Sequence, residues 1–388
     1  MFTVDSLALV AVGACALFFS VAILLTRPWH SHLTADFENS GVQKHHTGSP
    51  PRVGGLAVMA GVAAGWAWLD QSGLPAAAEA AGLLALIGLC SLPAVFAGLL
   101  EDLTKRIKPR WRLLASGAGA VLGMLMLGAV VPGVGLAWLD PVVQWWPVGA
   151  AMTLLLVSGF TQAMNIIDGL NGLAAGLTIL MMGATAYVAN TVGDPALVHL
   201  CLVLAAAVAG FLVLNFPRGL LFLGDGGAYF LGFVMALIWV LLLVRNPGEV
   251  SPWFCIAVSF HPTMETIYSI VRRKVRASGA SHPMAPDTLH MHTLVYKRRC
   301  RHLLFAFPWL EKWVANSAAT VVVLILALPS ILASVFAAHS TGWLLLLLLA
   351  SVGLYLLAFM RLLRFGRLQR PALKATHAHR LEKLKGAS

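Results

Sequence analysis

The chain has 388 residues, 59% of them hydrophobic and only 11% charged, with a mean hydropathy of +0.81. Soluble domains carry about 25% charged residues, so the composition excludes an ordinary water-soluble fold and points to a bilayer. The net charge of +11 does not point to nucleic acid, because the basic residues flank apolar runs instead of forming a basic domain; anionic lipid headgroups are the expected partner.

Eleven apolar runs follow one another, at roughly 5–26, 54–73, 79–100, 113–131, 142–164, 171–191, 195–214, 227–244, 251–271, 315–338 and 341–360, most near the ~20 residues that a spanning helix needs. The first follows Met1-Phe2-Thr3-Val4-Asp5, which lacks a positive stretch, and is expected to be a retained helix and not a signal peptide. The fifth is interrupted at its start by Pro147 and Gly149 and preceded by Trp138, Trp145 and Trp146, an interfacial aromatic belt. In the ninth, His261-Pro262-x-x-Glu265 is expected to bend the helix near its middle, with Glu265 anchoring the basic end at Arg272 and Arg273.

Of the 27 Lys and Arg residues, 26 fall in alternate connections and in the tail; only Arg245 lies on the other side. The positive-inside rule then places the N-terminus outside and the C-terminus in the cytoplasm. The predicted fold is all-α and polytopic. A single transmembrane catalytic domain covers 1–364, its cytoplasmic loops are 27–53, 101–112, 164–171, 215–227 and 272–314, and a basic tail covers 365–388. The tail is either a short helix along the leaflet or stop-transfer charge. Five cysteines form no C-x-x-C pair and predict neither disulfides nor zinc.

Four polar islands interrupt the apolar pattern, all on the predicted cytoplasmic side. Glu101-Asp102 ends the third run and precedes Lys105, Arg106, Lys108, Arg110 and Arg112. Carboxylates beside phosphate-binding cations suit a bridging divalent metal, whereas an isolated acidic pair is more simply a solvated helix end. Asn165-x-x-Asp168-Gly169-Leu170-Asn171-Gly172 is a compact polar turn. Asn165 and Asp168 share a helical face and Asn171 is placed to cap the next helix or to offer its amide to a ligand, although such residues are also ordinary turn formers. In Gly224-Asp225-Gly226-Gly227, glycines around one carboxylate permit a metal-bound phosphate to approach the backbone, with the amides of the following helix facing that anion; the simpler reading is a turn with an Asp cap. His290-x-His292 lies in the longest hydrophilic connection. Two such histidines suit pyrophosphate oxygens or proton transfer, or are plain surface residues. His45 and His46, beside Lys44, carry the same two readings, and Gly54-Gly55 suits tight helix packing.

In this order the islands resemble the polyprenyl-phosphate N-acetylhexosamine-1-phosphate transferases, glycosyltransferase family 4, closest to the undecaprenyl-phosphate N-acetylglucosamine-1-phosphate branch of O-antigen and common-antigen synthesis. The similarity spans residues from about 40 to 300. It rests on Lys44-His45 with Pro51-x-x-Gly54-Gly55, the acidic pair with Arg110-Trp111-Arg112, Asn165-x-x-Asp168-Gly169-x-Asn171-Gly172-Leu173, Asn215 with Phe222-Leu223-Gly224-Asp225-Gly226-Gly227, and His290-x-His292. The resemblance implies transfer of a sugar 1-phosphate from a UDP-sugar to polyprenyl phosphate with release of UMP, at the cytoplasmic face of a bacterial inner membrane. It implies magnesium, or manganese, as cofactor, with Asp225 as metal ligand and Asp168 on the metal and nucleotide side. Asn165, Asn171 and Asn215 would contact substrate, Glu101 and Asp102 would lie near the lipid phosphate, and Lys44, His290 and His292 would hold phosphate charge. The first acid is Glu101 where much of the family has Asp, and Thr293 follows His292 where many relatives have a further histidine. A small UDP-N-acetylhexosamine is the expected donor; an N-acetylated deoxyhexose and a peptide-bearing muramyl sugar are the alternatives. A transporter is the rival class, but its site would lie at mid-membrane within repeated halves, and no repeat is found. Homodimerisation is common in such enzymes, and the small-residue stretch Ala115–Ala120 permits either contact between copies or a tight internal crossing.

Overall fold

The computed structural model describes residues 5–35, 49–277, 289–301, 303–304, 307, 309 and 311–385, excepting the side chains of 276–277 and 365–385. Its helices are α1 (Ser6–Leu25), α2 (Arg27–Thr34), α3 (Gly54–Gln71), α4 (Pro75–Thr104), α5 (Pro109–Leu127), α6 (Asp140–Val143), α7 (Trp146–Ile167), α8 (Leu173–Thr191), α9 (Pro195–Asn215), α10 (Gly224–Arg245), α11 (Trp253–Val258), α12 (Phe260–Ala277), α13 (Met291–Val295, continued by a π-turn over Tyr296–Cys300), α14 (Lys312–Phe336) and α15 (Thr341–Lys385). The protein is a polytopic all-α membrane protein. Among the described residues, eight helices are long and apolar enough to cross a bilayer: α1, α4, α7, α8, α9, α10, α14 and the Thr341–Arg364 part of α15. The runs at 54–73 and 113–131 form α3 and α5, of 18 and 19 residues, which carry Asp70, Gln71, Arg110 and Arg112 at their ends.

The ninth run departs from its expectation. It is two helices, α11 and α12, parted at Ser259. Pro262 sits in the first turn of α12 instead of kinking a continuous helix, because proline lacks the N–H that interior positions need and is accommodated only there.

A helix apolar all round belongs in the middle of a bundle, and α10 is that helix: every residue from Gly224 to Leu243 is buried. It packs on α4, α7 and α3. Glycines set how near these helices come. A Cβ on Gly55 of α3 would collide with Gly227 Cα, and one on Gly98 of α4 would lie 2.6 Å from Gly226 Cα. Gly226 and Gly227 therefore admit neighbouring helices. Gly54-Gly55 is a packing pair, as its composition predicts.

The opposite end of the bundle is fastened by the lone basic residue there. Arg245 donates from Nε and Nη2 to both oxygens of Asp194, at 2.7 and 3.1 Å, and from Nη1 to Glu79 at 2.8 Å. Asp194 is 5% exposed and also accepts from Leu197 N at the start of α9. Because removing Arg245 strands a buried carboxylate, Arg245→Met is expected to cost about 1–3 kcal/mol, discounted for the partial exposure of the arginine. Thermal unfolding in detergent should show a lower midpoint for this variant, while Glu79→Gln, at the exposed partner, should shift it little.

Candidate active site

The end of α4 and the start of α10 are joined by one carboxylate. Asp102 accepts Asp225 N at Oδ1 and Gly226 N at Oδ2, both at 2.9 Å. A helix start carries unsatisfied N–H groups and a positive dipole end. The expectation that these amides meet a substrate anion is corrected: the anion there is Asp102. Gly224 makes the junction possible, since its φ is +79° and any Cβ at this position would collide with the carbonyl of Arg52. Glu101 turns away to the next connection, where its Oε2 accepts Ile107 N at 2.7 Å.

Asp225 faces two guanidinium groups. Arg52 Nη2 donates to its Oδ1 at 3.0 Å and Arg112 Nη1 to its Oδ2 at 2.9 Å. Arg52 also lies 3.6 Å from Asp102, and Arg112 lies over the ring of Tyr229, one turn into α10. Sequence reasoning assigns neither arginine a role. Arg112 closes the Arg110-Trp111-Arg112 motif that carries part of the resemblance, whereas the signal for Arg52, between Pro51 and Gly54-Gly55, is faint.

Asp168 follows the last residue of α7, with Asn165 half-buried one turn before it. Burial pushes the Asp168 carboxyl up to about 7; Arg52 pulls it down, while Asp225 and Asp102 push it further up. The three acids therefore share one space with Arg52. An acid whose folded pKa lies above its unfolded value contributes stability at low pH that is lost as pH rises through the folded pKa. Between pH 4 and 8 the wild-type protein should lose thermal stability relative to Asp168→Asn, which lacks this titration. Melting curves of the two proteins at pH 5 and pH 8 check this; a gap that does not change between the two pH values would contradict it.

The turn after Asp168 is stapled to the turn after α9. Asn215 donates to Leu221 O at 2.7 Å and accepts Gly172 N at 2.6 Å. Asn171 donates to Pro217 O at 2.9 Å, while its own N–H reaches Asn316 Oδ1 at 2.8 Å and its carbonyl accepts from Thr320. Ser317 also donates to Pro217 O. The side chains of Asn171 and Asn215 thus hold the two turns in register, and α14 supplies the polar residues that brace them, which sequence reasoning does not find.

The histidine motif reaches this turn from the other side. A Cβ on Gly169 would lie 2.8 Å from His292 Nε2, so His292 sits against the residue next to Asp168. The rings of His290 and His292 stack, with centroids 5.4 Å apart and planes 10° from parallel. Glu265 holds this loop: Oε2 lies 3.0 Å from His290 Nδ1 and Oε1 accepts Met291 N at 2.7 Å. Glu265, expected to help anchor the basic end of α12, accepts from this loop, whose helix-start N–H it satisfies. Lys44, His45 and His46 lie outside the described residues.

Asp102, the Asp168 turn, Asp225 and the histidines therefore meet at one end of the bundle. Residues 84–243, from α4 through α10, match the model of glycosyl transferase family 4. Over that segment the chain is similar to this family. Among its relatives is a probable undecaprenyl-phosphate N-acetylglucosaminyl 1-phosphate transferase of Bacillus subtilis, 29% identical over 253 residues, which are 64% of this chain and 66% of the relative. A decaprenyl-phosphate N-acetylglucosaminephosphotransferase of Mycolicibacterium smegmatis is 29% identical over 325 residues, 71% and 73% of the two chains. An undecaprenyl-phosphate alpha-N-acetylglucosaminyl 1-phosphate transferase of Yersinia pestis is 28% identical over 261 residues, 66% and 68%. The chain thus matches about two thirds to three quarters of the length of these relatives. The family 4 match takes in Glu101, Asp102, Asp168, Asn215 and Asp225 and ends before Glu265 and the histidines.

Proposed function

We propose that this protein transfers N-acetylhexosamine 1-phosphate from a UDP-sugar to a polyprenyl phosphate, releasing UMP, at the cytoplasmic face of the membrane. The observation that carries the reading is the meeting of Asp102, Asp168 and Asp225 with Arg52 and Arg112 at one end of a membrane bundle. A phosphate oxygen of the lipid attacks the sugar-linked phosphorus. The bond from that phosphorus to the bridging oxygen breaks, and its electron pair leaves on UMP. The attacking phosphate is largely dianionic at pH 7, with a second pKa near 6, so no strong base is required. What the chain must supply is charge neutralisation and in-line placement.

The donor set fits magnesium. Asp168 and Asp225 are close enough for the charge of one to raise the proton affinity of the other, and Mg²⁺ takes one or two carboxylates together with phosphate oxygens. Asp225 and Asp168 would hold the ion, which when bound offsets negative charge on the diphosphate. Arg52 and Arg112 then face the same phosphates, Asp102 keeps the start of α10 in place, and His290 and His292 close the far side. Asp102 is a positioning group in this scheme, because each of its oxygens already accepts a backbone N–H.

The lipid chain requires an apolar path. A cavity of ≈ 440 Å³ lies between α7, α11 and α12, lined along its length by Leu156, Phe160 and Ala163 of α7 and Thr263, Ile267 and Ile270 of α12. Ala163, in this lining, lies two residues before Asn165, and we assign the cavity to the isoprene chain. Phe160 and Ala163 line the part of the α7 wall nearest the site. Ala163→Phe should raise KM for polyprenyl phosphate on the order of tenfold, a loss of about 1–2 kcal/mol for a displaced apolar segment, with KM for the UDP-sugar unchanged. An equal rise in both would place the chain elsewhere. The reading as a whole is tested by UMP release from purified protein with polyprenyl phosphate and a panel of UDP-sugars, with Mg²⁺ or EDTA. Lipid-dependent, EDTA-sensitive release is expected; no release with any donor would reject the transferase.

A further inference from the structure

We propose that Glu265 is a positioning residue for the transfer, acting through His290; the inference rests on the transferase reading. Glu265 is 1% exposed, His290 7% and His292 4%. One carboxylate grips both the ring and the backbone of the motif, with His290 Nδ1 at 3.0 Å from Oε2 and Met291 N at 2.7 Å from Oε1. The second bond lies at the start of α13, whose preceding residue is His290 itself. Two bonds from one rigid acceptor to a ring and to the adjacent amide fix both the position and the plane of that ring.

A carboxylate on Nδ1 keeps the proton there and leaves Nε2 as the nitrogen that meets a ligand. The parallel stack with His292, which itself abuts Gly169, turns the pair toward the Asp168 turn. Glu265 is less than two turns beyond the break at Ser259 that parts α12 from α11. His261 and Tyr355 stand beside Glu265, near enough for its charge to act on both.

The test combines Glu265→Gln, His290→Ala and the double variant. Glu265→Gln keeps the side-chain shape and a carbonyl oxygen for Met291 N but replaces the other acceptor by an NH₂ donor. It should lower kcat on the order of 10–100-fold, as for other carboxylate-held histidines, with KM for the UDP-sugar changed little. In the His290→Ala background the same substitution should add no more than about twofold, because the two residues act as one unit. Independent losses that multiply in the double variant would overturn the proposal. The ¹⁵N spectrum of histidine-labelled protein gives a readout that needs no turnover: His290 should carry its proton on Nδ1 in the wild type and lose that preference in Glu265→Gln. An unchanged His290 tautomer would overturn the bracket. If the wild-type protein releases no UMP with any donor, the transferase reading fails, and the ¹⁵N comparison still decides whether Glu265 sets the state of His290.

Discussion

Asp225→Asn should lower kcat on the order of a thousandfold or more while the protein still folds, binds detergent as the wild type does and melts within a few degrees of it. The side chain is the meeting point of Arg52 and Arg112 and the carboxylate assigned to the metal. The amide keeps its size and one acceptor oxygen but carries no charge, so it cannot balance either guanidinium or a divalent cation. Loss of a preorganised charge at a site of developing charge costs roughly 3–4 kcal/mol in the barrier, and here two such functions are lost together. The backbone N–H of residue 225 still reaches Asp102, which is why folding should survive. The measurement is initial rate against Mg²⁺ concentration for both proteins. Activity in the variant that is restored by excess Mg²⁺ to within tenfold of the wild type would show that Asp225 is not the principal ligand.

Asp102→Ala should behave differently, by failing in stability as well as in rate. Asp102 is 2% exposed and binds two amides at the start of α10, the most buried of the candidate spans among the described residues. Its removal leaves two buried N–H groups without acceptors, at about 1–3 kcal/mol each, offset in part by relief from burying a charge. A net loss of about 2–4 kcal/mol is expected, read as a fall in the midpoint of thermal unfolding. Because α10 carries Asp225 in its first turn, activity should fall with it, and Mg²⁺ should not restore it. Asp102→Asn is the informative companion. Its oxygen can accept one N–H while its NH₂ group confronts the other, so it should lie between the wild type and the alanine variant in both rate and stability. A catalytic base would give another pattern: Asp102→Asn melting as the wild type does yet inactive at every pH.

The apolar periodicity and the positions of the polar islands are legible in the sequence because a bilayer imposes them: every run has to be long and apolar, and every carboxylate has to sit at a boundary or in a packed site. The meeting of Asp102, Asp168 and Asp225 follows from that pattern, since alternate connections return to the same side. What is not legible is which polar group serves which partner. Sequence alone points Asp102 toward the lipid phosphate, yet its nearest partners are the amides of residues 123 and 124 positions further on. A carboxylate that caps a foreign helix has no local signature. The roles of Arg52 and Arg112 are hidden by the other loop cations for the same reason: a charge beside a membrane span reads as orientation before it reads as chemistry. Asn171 and Asn215 look like ligand-facing amides, but both hold turns together, and their counterparts Asn316, Ser317 and Thr320 sit inside an apolar run where nothing in the local pattern marks them. The glycines of the Asp225 island carry two compatible readings, and the close approach of Gly55 and Gly98 to Gly227 and Gly226 shows the packing one.

The central claim is that the bond broken in the donor lies between the two phosphates. It is tested most directly with a UDP-N-acetylhexosamine labelled with ³²P at the sugar-linked phosphorus, incubated with the purified protein, polyprenyl phosphate and Mg²⁺, and partitioned between organic and aqueous phases. Label entering the organic phase as UMP appears, in equal amounts and only when the lipid is present, is the predicted result. Label that remains in the aqueous phase as UDP while sugar enters the lipid, or that never leaves the donor, would contradict it.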